Sequence, residues 1–130
     1  MAVKAIAKGV AISPRKVAAV VSLVRNRSVA DALVILEHTP RRSALAVSKV
    51  IKSASANAER NHNYKPDTLV ITEIMVTHGP RLKRHRPAAR GRALPYQKRS
   101  SHIRVLVDGE QRAEKPKPAG KKAVATKEDK

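Results

Sequence analysis

With 28 Lys and Arg against 10 Asp and Glu in 130 residues, the chain carries a formal net charge of +18 and a pI near 11.2. Such a charge works against a small folded body unless a polyanion neutralises it, which points first to nucleic acid and next to an acidic membrane surface. The absence of cysteine excludes disulfides and a thiolate metal site and fits a reducing cytosol, and no apolar run approaches the roughly 20 residues of a spanning helix.

The chain opens with MAVKAIAKGVAISPRK, where Lys4 and Lys8 break the apolar character, so a secretory signal is not expected. Partial alternation over Ala2 to Ile12 predicts a strand. Ser13-Pro14 reads as a helix start, with Ser as cap and Pro at the first helical position. The helix is expected to run to about Arg25, with Val17, Val20, Val21 and Val24 as its buried stripe and Asn26 as its stop. Valine is a poor helix former, so tertiary packing must hold this element.

Ser28 is read as the cap of a second helix, with Asp31 favouring the positive end of its dipole and Leu33, Ile35 and Leu36 supplying core contacts. Thr39-Pro40 repeats the cap-then-proline signal. The third and longest helix is expected from about Arg41 to Arg60, with Ala44, Val47, Val50, Ile51, Ala54 and Ala58 on one face and Arg42, Lys49, Lys52 and Glu59 off it. Small residues from Ser53 to Ala56 would let another element approach closely. Asn61 to Asp67 reads as a loop.

Two strand-like stretches follow, Leu69 to His78 and His102 to Asp108, both dominated by β-branched and apolar residues. Between them Gly79 to Arg104 holds Arg81, Lys83, Arg84, Arg86, Arg90, Arg92, Lys98, Arg99 and Arg104, with no Asp or Glu. Before Ile103 its bulky apolar residues are only Leu82, Leu94 and Tyr96. It has too little to bury to form a core of its own. The pattern predicts a hairpin whose outer half leaves the body, with Gly79-Pro80 as a bulge or bend where the arm departs. In Arg90-Gly91-Arg92, Gly91 would let the backbone approach a phosphate while two guanidiniums fork onto its neighbours. Arg15 and Lys16, away from the valine stripe, would add a peripheral contact.

The fold class expected is therefore α+β: a small antiparallel three-stranded sheet packed on three helices, with a long extended β-hairpin arm. Residues 1–109 would form one RNA-binding domain, including the arm at 79–101. The Lys-, Ala-, Glu- and Pro-rich stretch at 110–130 would be a disordered basic tail.

Only Tyr64 and Tyr96 are aromatic, so base stacking on a sheet of exposed rings is excluded as the main mode of recognition. Phosphate contacts, shape and arginine must dominate. His78, His85 and His102 have no carboxylate between Gly79 and Val107 to orient them, and no thiol accompanies them. Neither a metal nor catalysis is expected of them. A glycine-rich phosphate loop, HExxH and a nucleophile elbow are all missing, so an enzyme is not expected and no cofactor is implied. The rival reading is an architectural DNA-binding protein with a β-ribbon arm, in which Pro87 could wedge between base steps. A cationic membrane-surface peptide ranks last, because the densest charge lies on a segment poor in apolar residues.

SPRKV at Ser13 to Val17, SASANAERN at Ser53 to Asn61, and above all GPRLKRHRPAARGRA followed by QKRSSHIRVLV resemble the bacterial large-subunit ribosomal protein L22 family. The likeness covers about Lys4 to Val107. It implies a cytoplasmic, ribosomal structural protein that binds 23S ribosomal RNA, supports subunit assembly and extends its hairpin to help line the nascent-peptide exit tunnel. The RNA-binding residues it implies are Arg15, Lys16, Arg81, Lys83, Arg84, Arg86, Arg90, Gly91, Arg92, Lys98, Arg99, Ser101 and His102. The tunnel-facing tip would be Lys83, Arg84, His85, Arg86, Pro87, Ala88, Ala89 and Arg90. Its partners would be 23S ribosomal RNA, neighbouring large-subunit proteins and the nascent peptide, with the protein present in a single copy and away from membranes. His85, Ala88 and Ser100 depart from the residues usual in the family, which are apolar or aromatic, basic, and threonine respectively.

Overall fold

In a computed structural model that describes residues 2–112, the chain begins with strand β1, Val3–Val10, whose Val3 and Ala5 face the core while Ile6 is half exposed. The larger apolar residue thus points outward. Strand alternation sets this, since Val3 and Ala5 share the helix-facing parity and Ile6 falls on the other.

Helix α1, Pro14–Val24, starts where Ser13-Pro14 predicted it, and Asn26 stops the turn beyond it in the left-handed region at φ 58°. Its valines at 17, 20, 21 and 24 are all buried. Helix α2, Val29–His38, is capped by Ser28, whose Oγ accepts from the Asp31 N–H at 3.1 Å and donates to the Asp31 carboxylate at 2.7 Å. Its deepest contacts are Val29, Ala32 and Leu36; Leu33 and Ile35, expected in the core, lie at its partly exposed margin.

Thr39 does not cap the next helix. Its hydroxyl instead donates back to the Ile35 carbonyl at 2.7 Å and closes α2. Helix α3, Arg42–His62, begins after Arg41, which offers no side-chain cap. Val47, Ile51, Ala54 and Ala58 are fully buried along its length, and α3 packs on β1 and β3 of the sheet. The helix ends at Asn63 in the left-handed region, and the Tyr64 N–H donates to the Ala58 carbonyl at 3.1 Å. Each fully buried valine or isoleucine here contributes about 1.5–3 kcal/mol of transfer free energy.

Strands β2, Val70–Pro87, and β3, Ala93–Asp108, complete a three-stranded antiparallel sheet in the order β1-β3-β2. Ile71 and Ile74 from β2, with Ile103, Val105 and Val107 from β3, face the helices and are fully buried. The architecture is the α+β arrangement expected.

The chain keeps contact with the body beyond Gly109. Lys65 N–H donates to the Glu110 carbonyl at 3.0 Å, Gln111 bridges to the buried Tyr64, and Arg112 N–H donates to the Asn63 carbonyl at 2.6 Å. Of the tail predicted at 110–130, residues 113–130 lie outside the described residues. Ending the chain at Gly109 is expected to lower the melting temperature by a few degrees relative to ending it at Arg112. Three hydrogen bonds at about 0.5–1.5 kcal/mol each supply the effect, the third from the Glu110 N–H to the Thr68 hydroxyl at 3.1 Å, and about 1 kcal/mol shifts a domain of this size by roughly 4–8 °C. The exposed Lys65–Glu110 ion pair at 3.4 Å adds little. Coincident melts of the two truncations would show that this docking carries no weight.

Candidate nucleic-acid interface

The interface is built on the outer halves of β2 and β3, which pair from Arg81↔Arg99 to Pro87↔Ala93. At about 3.3 Å per residue an 18-residue strand such as β2 reaches on the order of 60 Å. A body of about 100 residues has a radius of gyration near 13 Å. The outer arm therefore projects, and Pro80 to Pro87 and Ala89 to Arg99 are all exposed.

The register shifts between His78 and Arg81, at the predicted Gly79-Pro80 bend. Close packing explains the glycine. A Cβ on Gly79 would lie 2.5 Å from the Ser100 hydroxyl and 3.1 Å from the Ser100 carbonyl carbon. That hydroxyl is itself engaged, donating to the Pro80 carbonyl at 2.7 Å. Gly79→Ala is expected to cost about 1–3 kcal/mol by overpacking. Ser100→Ala in the same chain should restore only part of it, because the backbone contact remains. Thermal melts of the two variants check this; an unchanged melt for Gly79→Ala would mean that the bulge is slack.

At the far end the chain reverses between Ala88 and Arg92, and Ala88 N–H donates to the Arg92 carbonyl at 2.8 Å. Arg90 and Gly91 both adopt left-handed conformations, φ 57° and 72°, as a tight primed turn requires. For arginine this costs about 1–2 kcal/mol. The turn puts Arg90, an exposed residue, at the far end of the arm. Lys83 to Pro87, expected at the tip, stand instead on the ascending strand, because the turn centre is set by the pairing of Pro87 with Ala93.

Cross-strand pairing gives the arm two unlike faces. Leu82, Arg84 and Arg86 share one face with their partners Lys98, Tyr96 and Leu94; Arg81, Lys83, His85 and Pro87 share the other with Arg99, Gln97, Pro95 and Ala93. All the arm's large apolar side chains are thus on the first face, and the Arg86 guanidinium lies 4.7 Å from the centre of the Tyr96 ring. The second face continues the side of the sheet that the helices cover. The alternation is present in the sequence, but assigning the faces needs the register.

Of the other expected contact residues, Arg15 and Lys16 are exposed at the start of α1, on the body rather than the arm. His102 is partly exposed, and its Nδ1 accepts the Gly9 N–H at 2.9 Å, which leaves Nε2 as the outward donor. Ser101 differs: its side chain is fully buried and its Oγ has no hydrogen-bond partner, so it is not on the exposed surface. Among the described residues no cation between Arg81 and Arg104 forms a salt bridge, and no group of three or more His, Cys, Asp or Glu is placed to hold a metal ion. No helix among them is long and apolar enough to cross a membrane.

A small α+β body bearing a long, acid-free, two-stranded cationic arm defines a class of protein built to engage a polyanion over an extended path. Residues 5–108 match the family model described as Ribosomal protein L22p/L17e, and the chain belongs to that family. It is 52% identical over 107 residues to the large ribosomal subunit protein uL22 of Oceanobacillus iheyensis, covering 82% of this chain and 95% of that protein. To the large ribosomal subunit protein uL22 of Desulforamulus reducens it is 50% identical over 107 residues, with the same coverage. The chain is accordingly a non-enzymatic structural constituent of the large subunit of the cytoplasmic ribosome.

Proposed function

We propose that the protein binds 23S ribosomal RNA and threads its arm through it, so that the tip helps line the nascent-peptide exit tunnel. The observation that carries this reading is the arm itself. Among the described residues its cations lack carboxylate partners, its two strands are paired from Arg81 to Pro87, and it is too long to serve the core. RNA phosphates supply the missing anions along the whole length, and Arg84, Arg86 and Tyr96 on one face can meet sugar and base edges as well. Neighbouring large-subunit proteins would contact the body, the nascent peptide would pass near Arg90, and one copy would suffice because the arm needs no symmetric mate.

The test is binding to large-subunit RNA fragments against duplex DNA of equal length, at several salt concentrations. If the arm engages about 6 phosphates, log K should fall with log salt at a slope of about −4 to −5 for RNA. A flat salt response would rule out the electrostatic arm. Preference for duplex DNA would favour the architectural alternative.

A further inference from the structure

The two faces of the arm differ in chemistry as well as position. On the face shared by Leu82, Arg84, Arg86, Leu94, Tyr96 and Lys98, the side chains of Leu82, Leu94 and Tyr96 are 51%, 58% and 39% exposed. Tyr96 follows Leu94 on that side of β3 and lies diagonally across the ribbon from Leu82, so the three form one zigzag strip. Phosphate contacts have no use for leucine. Two cations beside the strip are held in place. The Arg84 guanidinium donates to the Lys83 carbonyl at 2.8 Å, and that of Arg86 lies over the Tyr96 ring. Arginine and tyrosine around an apolar centre match the composition of a protein-binding hot spot. The opposite face of the arm has no large apolar side chain. The edges of the ribbon are a poorer target. β1 pairs with β3 only as far as Ser101, so both edges are open beyond it. Pro80, Pro87 and Pro95 each remove an N–H there, and charged side chains crowd both strands, which disfavours addition of another strand. A protein partner of the arm must lie on its face.

We infer that this face docks an acidic amphipathic helix of another protein while the chain is free of RNA, with apolar side chains of the helix on Leu82, Leu94 and Tyr96 and its carboxylates on Arg84, Arg86 and Lys98. The dimensions agree. Leu82 to Arg86 is four residue steps, about 13 Å, which matches about nine residues of a helix. Apolar residues at i, i+4 and i+7 cover the strip, and carboxylates flanking them reach the cations on either side. Two strands about 4.8 Å apart make a ribbon about as wide as the helix that lies along it. Arginines already held in place lose less freedom on docking. Charge selects the kind of partner: a chain of net charge +18 with an acid-free arm repels a basic one and draws an acidic one. The helix takes cations that RNA also takes, so it leaves as RNA is engaged. It is a holding partner that covers the arm before assembly. That role rests on the RNA-binding reading above, whereas the docking chemistry does not.

The test uses the full chain and two synthetic helical peptides of about three heptads, both with glutamate at e and g. One has leucine at a and d; the other has glutamine there. The flanking glutamates keep the leucine peptide from pairing with itself. The leucine peptide is expected to bind roughly tenfold more tightly than the glutamine peptide or better, since the apolar strip sits at the centre of the contact. Leu82→Ser/Leu94→Ser should remove that difference. Both leucines are exposed, so this variant should melt with the parent and bind in vitro transcribed 23S ribosomal RNA as the parent does. The same RNA should displace the leucine peptide from the parent. Equal affinity of the parent for the two peptides overturns the proposal in favour of diffuse charge. A variant that loses RNA affinity but keeps the peptide preference overturns it and assigns the face to RNA. Phosphatidylglycerol vesicles that bind the parent and not the variant, with neither peptide bound, overturn it in favour of a membrane surface. A leucine peptide that bound RNA does not displace overturns the holding role. A parent that prefers the leucine peptide but shows no salt-dependent RNA binding supports the docking and sinks the RNA-binding reading instead, so the two failures are distinguishable.

Discussion

Replacing Lys83–Gln97 by Asn-Gly is expected to leave a cooperatively folding domain that has lost most of its affinity for ribosomal RNA. The cut follows the register: Leu82 faces Lys98, so these two become the closing pair of a tight hairpin, a position that Asn-Gly suits. Cutting at Leu94 instead would set Leu82 against Pro95 and break the pairing. Nothing buried is removed, since every residue in the deleted segment is exposed except the partly exposed Ala88. Lys83, Arg84, Arg86, Arg90 and Arg92 go with it. At about 0.7–0.9 per phosphate the salt slope should become shallower by about 3.5–4.5, and near 0.15 M salt the affinity should drop on the order of 10³-fold. A thermal melt and a salt titration check both halves. A lost cooperative transition would show that the outer arm supports the core; unchanged affinity would show that RNA is held by the body alone.

Ile51→Ala is expected to destabilise the protein by about 2–5 kcal/mol, which is a large part of the roughly 5–15 kcal/mol of a typical domain. Ile51 is fully buried near the middle of α3, the element that touches β1, β3, α1 and α2. The hole left there is bounded by several elements and cannot close by a shift of one. Leu45→Ala on the same helix is the contrast, since Leu45 is 67% exposed and should change stability by little. Chemical denaturation of the two variants measures the difference. Equal and small losses would mean that α3 is not the central support of the core.

Local signals in the sequence carry much of this fold. Ser13-Pro14, Asn26, and Ser28 with Asp31 act within one turn of themselves, so helix ends follow from the residues directly. The valine stripe of α1 and the apolar face of α3 follow from helical period alone. What sequence reading misses depends on partners distant in the chain. Thr39 resembles a cap for the following helix, but its hydroxyl finds the Ile35 carbonyl behind it. The alternation over β1 does not say which parity is buried; the helices cover Val3 and Ala5 and leave Ile6 on the other face. The turn of the arm depends on where the strands fall out of register, near Gly79, and so its centre lies at Arg90 and Gly91. The buried Ser101 and a cleft lined by Lys16, Arg41, Arg42, Lys98 and Arg99 exist only once three separate elements meet.

Passage of the arm through ribosomal RNA to the tunnel can be tested at one atom. The chain has no cysteine, so Ala89→Cys puts a single thiol beside the turn, on an exposed residue of the tip. With a photo-crosslinker on that thiol, large subunits carrying the variant are engaged on a stalled nascent chain and irradiated. Crosslinks to 23S ribosomal RNA and to the nascent peptide are expected. Crosslinks only to soluble components, or none to either RNA or peptide from fully assembled subunits, would contradict it.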